Sequence, residues 1–375
     1  LLATSAWTCP YSIRDAGFIV RDPQPYKLTI LVRGSEPPAE GLESWLAAAG
    51  RKVLADSNIE PEFVDLAKQP DHPAKEYFDK LPQKDLPCAL LISPRGSFLR
   101  MLPTGGKWTP ETVEDLARRA VSSPQRDEIA QHLVSSWCLV VMAPGGDEVE
   151  NQRVMQAIAE ARAQVKGFHT EMGAVIEEPP WVTRVFCGDA EEEVLRWSLG
   201  LDDCATEARV AILWGVGRRL GPILSGDKLT ATNLAACFKL LGENCTCTAD
   251  PRSFLGPCVP LAWTKAQRQE VRDRLGFDPE APEARNSLAG VWTTLESGKV
   301  TGGDALPDPG AGYIEFPVEP GGEQPPAPEG GGPQANLNLP WEQRGLRVAA
   351  MVGGGIAVAA SGSTAALLIL RRRRA

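Results

Sequence analysis

The sequence predicts an α/β protein in which one series of elements, β-α-β-α-β-β-α, occurs twice in tandem. A linker and a terminal apolar stretch follow. Three observations lead there. Short β-rich apolar runs alternate with segments of helical spacing from Tyr26 to Val121, and again from Trp137 to Leu241. The closing parts of the two series read alike: Ala89-Leu90-Leu91-Ile92 to Lys107-Trp108-Thr109 matches Ala211-Ile212-Leu213-Trp214 to Lys228-Leu229-Thr230. Further on, Pro317 to Pro333 holds 11 Pro or Gly among 17 residues, a composition that cannot bury a core and stays extended.

In the first series, Lys27 to Val32 is a strand, and Leu42, Trp45, Leu46, Ala49 and Val53 give helical spacing over Glu40 to Leu54. Glu62 to Leu66 reads as a second strand, Pro73 to Leu81 as a short helix, and Pro87 to Ser93 as a third strand turning at Arg95-Gly96 into Ser97 to Leu102. Thr109 as cap and Pro110 at the first helical position open a helix to Val121. The second series runs as a strand from Trp137 to Met142, then a helix opened by an Asp147/Glu150 capping box and reaching Val165. A strand from Val182 to Phe186, a helix from Ala190 to Leu199, a hairpin of Val210–Trp214 with Leu220–Leu224, and a helix from Thr230 to Leu241 complete it. Beyond it, Phe254 to Trp263 reads as an edge strand, because Pro257 and Pro260 exclude it from a sheet centre. A Thr264/Gln267 capping box then starts a helix that Gly276 ends.

The expected organisation follows. Residues 1–25 are a signal remnant and an irregular or extended lead-in, with Leu1 to Ala6 as the end of a secretory apolar region and its cleavage site. Residues 26–125 and 126–250 are the two domains, 251–296 an ordered extension, and 297–345 a disordered linker. Residues 346–370 form a transmembrane helix and 371–375 a basic cytoplasmic tail. The apolar core of that helix, Val348 to Leu370, is 23 uncharged residues, roughly 34 Å of helix and long enough to span a bilayer. Arg371 to Arg374 place its end in the cytoplasm and the body outside, in the periplasm of a bacterial envelope. Gly353, Gly355, Ala357, Ala359 and Ser363 supply small-residue spacings for packing against another membrane helix. A processed sorting signal, from Gly353-Gly354-Gly355 to the arginines, is the rival reading of this tail.

Charge and histidine content narrow the function. The chain carries a net charge of −9, to which Arg371 to Arg374 contribute positively, so the body is a poor match for nucleic acid or anionic lipid. His72, His132 and His169 lie too far apart in sequence to suggest a metal centre, and no cofactor motif is present. Gly215-Val216-Gly217-Arg218-Arg219-Leu220-Gly221 reads as a hairpin turn, since no Lys-Ser/Thr follows as in a phosphate loop.

Nine cysteines leave at least one unpaired. Cys88, Cys138 and Cys237 sit in apolar runs as small buried hydrophobes. Cys245, Cys247 and Cys258 form the one dense cluster, read as a loop staple, free thiols, a redox pair or a metal site, the last with no fourth ligand spaced near it. Cys9-Pro10-Tyr11-Ser12 resembles the active-site tetrapeptide of monothiol glutaredoxins, yet it precedes the first strand instead of following it.

The element order resembles the thioredoxin-like superfamily over roughly 26–121 and 137–241, and Pro87 stands where that family carries its cis-proline. The resemblance implies a dithiol between the first strand and first helix of each copy. Those loops read Gly34-Ser35-Glu36-Pro37-Pro38-Ala39 and Ala143-Pro144-Gly145-Gly146, with no cysteine, and the second copy has Glu207-Ala208-Arg209 in place of the proline. Without a thiolate at a helix N-terminus the usual exchange chemistry is unsupported. The expectation is therefore a membrane-tethered extracytoplasmic binding or scaffold protein, leaning away from an enzyme, with another envelope or membrane protein as partner. The alternative is a thiol–disulfide oxidoreductase using Cys245, Cys247 and Cys258, with Cys9 as a further candidate.

Overall fold

The computed structural model describes residues 11–19, 25–34, 41–170, 172–243 and 256–287. The linker, the terminal apolar stretch with its packing residues, Cys9, Cys245 and Cys247 all lie outside the described residues. Among the described residues, no helix is long and apolar enough to cross a membrane.

The first sheet comprises β1 (Tyr26–Val32), β2 (Ile59–Asp65), β3 (Cys88–Ile92) and β4 (Phe98–Met101) in the order β2-β1-β3-β4. β1 and β2 are parallel; β1 with β3 and β3 with β4 are antiparallel, with Leu28 opposite Leu91 and Ile30 opposite Ala89. Strand alternation divides the apolar side chains between two faces. Leu28, Ile30, Ala89 and Leu91 pack with α2 (Leu42–Ala49) and α4 (Pro110–Val121), while Leu31, Val64 and Leu90 pack with α3 (Ala74–Asp79).

The second sheet repeats this plan. Its strands are β5 (Leu139–Ala143), β6 (Trp181–Arg184), β7 (Arg209–Trp214), β8 (Arg218–Arg219) and β9 (Leu224–Ser225), in the order β6-β5-β7-β8 with β9 also on β7. β5 and β6 are parallel, β5 and β7 antiparallel. α6 (Glu148–Val165) and α8 (Ala231–Leu240) cover Val140, Met142 and Ile212; α5 (Pro124–Ser135) and α7 (Glu193–Leu199) cover Leu139, Val141 and Leu213. Both sheets thus have the thioredoxin-like strand order and pairing sense. The Leu86–Pro87 peptide is cis, at the position the sequence marks.

Several elements differ from expectation. β2 begins at Ile59 and includes Pro61, which an edge strand tolerates because one side of its ladder is unpaired. α5 was not anticipated, although Ser123 caps it and Pro124 occupies its first turn, as Thr109 and Pro110 do for α4. Glu150 does not close a capping box: Asp147 alone caps Val149, and the Glu150 carboxylate takes Arg153 at 2.6 Å. The lead-in is not extended. Ser12 and Asp15 form a capping box on α1 (Ile13–Ala16), and Ile13, Ala16 and Ile19 are buried in the core of the second sheet. Arg14 fixes it there by donating to the carbonyls of Val134, Ser136 and Trp137.

Residues 256–263 join the two sheets. Arg219 N donates to Pro257 O and Gly256 N to Arg219 O, Val259 N donates to Gly217 O, and Arg218 bridges Cys258, so this segment extends the second sheet as the expected edge. It then crosses to the first. Asn58 Nδ2 donates to Val259 O at 2.9 Å, Leu261 N donates to Asn58 Oδ1 at 3.1 Å, and Trp263 N donates to Asp56 O at 2.6 Å. α9 (Lys265–Leu275), with its Thr264/Gln267 capping box and left-handed Gly276, and α10 (Pro282–Ser287) follow.

Candidate functional site

In open sheets with parallel strands, sites form beyond the carboxyl ends of those strands. At that end of the second sheet β5 enters Ala143-Pro144-Gly145-Gly146. Asn151, in the first turn of α6, clamps this loop: Gly145 N donates to its Oδ1 at 2.8 Å, and its Nδ2 donates to Gly145 O at 3.0 Å. Gly146 N donates to Thr206 O at 2.9 Å, in the loop before β7. A Cβ on Gly145 would stand 2.3 Å from that carbonyl oxygen, so only glycine allows the approach. The loop is thus closed onto its neighbour by backbone contacts and carries no thiol. In the first sheet, Asp65 at the end of β2 accepts from Gly34 N at 2.8 Å and Ala67 N at 3.0 Å, and these two bonds hold its carboxyl below the usual range. Residues 35–40 of the corresponding loop lie outside the described residues.

The cysteines fall into three groups. Cys88, Cys138 and Cys237 are buried, as expected, and burial pushes all three thiols up, Cys237 to about 11. Such thiols are inert in exchange. Cys187 and Cys204 form a disulfide with Cα atoms 5.5 Å apart. Both are exposed, and the bond ties the loop after β6 to the loop before β7 around α7. Sequence reasoning missed this pair; its only signal was two cysteines bracketing one short helix.

Cys258 is the third case, a free and half-buried thiol. It is the member of the predicted cluster that the structure places, so that cluster is neither assembled nor dispersed by what is described. Its carbonyl accepts from Tyr26 Oη at 2.7 Å, and the Tyr26 ring meets Trp197 edge-on at 5.9 Å. Burial raises the Tyr26 phenol above its ordinary value. Cys258 borders a cavity of about 250 Å³ that also touches Asp56, Trp263 and Arg268. Among the described residues, no group of three or more His, Cys, Asp or Glu side chains is arranged to hold a metal ion. Among the described residues, the arrangement supplies a clamped loop, an exposed disulfide and one half-buried free thiol, and no adjacent pair of reduced thiols.

No protein-family model matches the chain, and no curated protein does. Solved structures to which it is similar include the first two thioredoxin domains of Saccharomyces cerevisiae Eps1p, at 12% identity over 58% of this chain and 96% of that one, with a TM-score of 0.22. Human ERp44 in a zinc-bound form is similar at 11% identity over 59% and 57%, with a TM-score of 0.22. ERdj5 form II is similar at 12% identity over 56% and 25%, with a TM-score of 0.20. The thioredoxin-like assignment itself rests on the strand order and pairing sense of the two sheets.

Proposed function

We propose that this protein is a membrane-tethered extracytoplasmic binding or scaffold protein whose two thioredoxin-like units carry no dithiol chemistry, and that its partner is another envelope or membrane protein. The observation that supports this most directly is the Gly145-Gly146 loop, which is clamped by Asn151, closed onto Thr206 and free of cysteine. A catalytic dithiol there needs an accessible thiolate at the start of α6. Asp147 and Glu148 occupy that position instead.

The free, half-buried Cys258 keeps the second reading in play, a thiol–disulfide oxidoreductase built from Cys245, Cys247 and Cys258. Insulin-disulfide reduction separates the two. The scaffold reading expects the purified protein to match the enzyme-free rate. Turnover that disappears in Cys258→Ser or Cys247→Ser would replace it with the redox reading. Truncation before Val348 tests the tether: the shortened chain is expected in the soluble extracytoplasmic fraction, and one that stays with the membranes would remove that part of the proposal.

A further inference from the structure

We infer that the cavity beside Cys258 is a binding site for a small organic carboxylate with a flat apolar body. Its volume of about 250 Å³ exceeds the roughly 150 Å³ at which an engineered apolar cavity admits benzene. It falls short of the roughly 300–1,000 Å³ of drug-sized pockets. One wall is apolar, formed by Phe18, Val216, Leu261, Trp263 and Val271, with the Phe18 and Trp263 rings stacked at 6.3 Å.

Two of the polar side chains that line the cavity are already engaged with backbone. Asn58 bonds both Val259 and Leu261, and the Ser57 hydroxyl donates to Leu54 O at 2.8 Å. Water on the apolar side therefore finds few partners, and an apolar group gains by displacing it.

Charge selects the other end of the ligand. Arg268, Arg272 and Arg285 line the cavity against Asp56 and Glu280. Arg268 reaches Asp56 at 2.6 Å and Glu280 at 3.8 Å, and Arg272 reaches Glu280 at 3.8 Å and Asp278 at 3.6 Å. Asp56 is thus held by Arg268, and Glu280 by Arg268 and Arg272 together, whereas Arg285 makes no ion pair with a described residue. With Asp278 counted, three guanidinium groups stand here beside three carboxylates, and among the described residues only the Arg285 guanidinium is left without one of them. A carboxylate pairs with it as a charge-assisted hydrogen bond, and a ligand cation would meet guanidinium groups instead. This assignment is independent of the scaffold reading, since it concerns the extension helices and not the strand ends.

The test uses the full-length protein with 4-phenylbutyrate as probe, and the neutral 4-phenylbutyramide and cationic 4-phenylbutylamine as controls. Cys258 is the reporter, its iodoacetamide labelling rate followed by peptide mass. The carboxylate is expected to slow labelling with half-protection near 1 mM and the amide to need about tenfold more, the step that one charge-assisted bond supplies. Arg285→Gln, on an exposed helix, is expected to abolish that preference. Val216→Phe, checked for an unchanged melting temperature, is expected to weaken protection by both compounds. Absence of protection by the carboxylate, equal protection by all three probes, or an unaltered preference in Arg285→Gln would each overturn the assignment.

Discussion

Tyr26 opens the first strand of one sheet, and its hydroxyl donates at 2.7 Å to the carbonyl of Cys258, on the edge of the other, 232 residues away. Asn58 and Trp263 reinforce this join within a few residues of it. The two thioredoxin-like units are therefore stitched by the extension that follows both, and the cavity lies along the seam.

Tyr26→Phe keeps the ring against Trp197 and removes only the bond to Cys258 O. The expected loss is about 1 kcal/mol, a fall in melting temperature of roughly 2–4 °C for an ordered body of this size. Cys258 is expected to label faster, because the strand carrying it loses a support. Unchanged labelling and melting would show that the bond contributes nothing to the seam.

Arg126 is 1% exposed and donates to the carbonyls of Arg119, Ala120, Ser122 and Pro260, with its Nε on Ser123 Oγ. Ser123 in turn donates to the buried Glu192 carboxylate at 2.6 Å. Arg126→Met strands those acceptors and removes a buried positive charge that interacts with the Glu192 carboxylate, at an expected cost of about 3–5 kcal/mol. Denaturant titration should show that adding Glu192→Gln recovers part of the loss, because the coupled pair is then removed together. Full additivity would mean the two groups do not interact.

Burial raises the Cys237 thiol to about 11 from an ordinary value of 9.0. Between those values the unfolded chain has released its proton while the folded chain retains it. The unfolded state then binds fewer protons, so stability is full below pH 9 and falls as pH rises towards 11. The size is on the order of 2–3 kcal/mol. Urea midpoints at pH 8.5 and 10.5 are expected to fall less in Cys237→Ala than in the parent, and parallel falls would refute the assignment.

The Cys187–Cys204 bond closes a sequence separation of 17 residues, and its reduction is expected to lower stability by about 3 kcal/mol through loop entropy. Alkylation without reductant should leave Cys187 and Cys204 unmodified in the peptide map and label Cys258. Labelling of all three would show that the bond is absent in solution.

Gly145→Ala places a methyl 2.3 Å from Thr206 O, and the two loops must separate, at an expected cost of about 1–3 kcal/mol. Faster amide exchange at Gly146 would report that opening. Wild-type exchange there would mean that the loops are not held together as described.

Much of this fold was legible in the chain. Pattern period and cap chemistry, as at Thr109-Pro110 and Thr264/Gln267, act over a few residues, so the order of strands and helices follows from local composition. The burial of Cys88, Cys138 and Cys237 was legible for the same reason, since each lies within an apolar run. The empty dithiol positions needed only the residue identities in two loops.

What needed the tertiary structure is where distant segments meet. Ser12-Ile13-Arg14-Asp15 has a local helix signal, but only folding brings it to the second core, past the entire first sheet. Cys187 and Cys204 gain their meaning from two loops converging around α7. The cavity is assembled from residues as far apart as Phe18, Asn58, Cys258 and Arg285. Periodicity reports which face of an element is apolar. It carries no information on which other element that face will bury against, and that choice rests on shape and pairing across the whole chain.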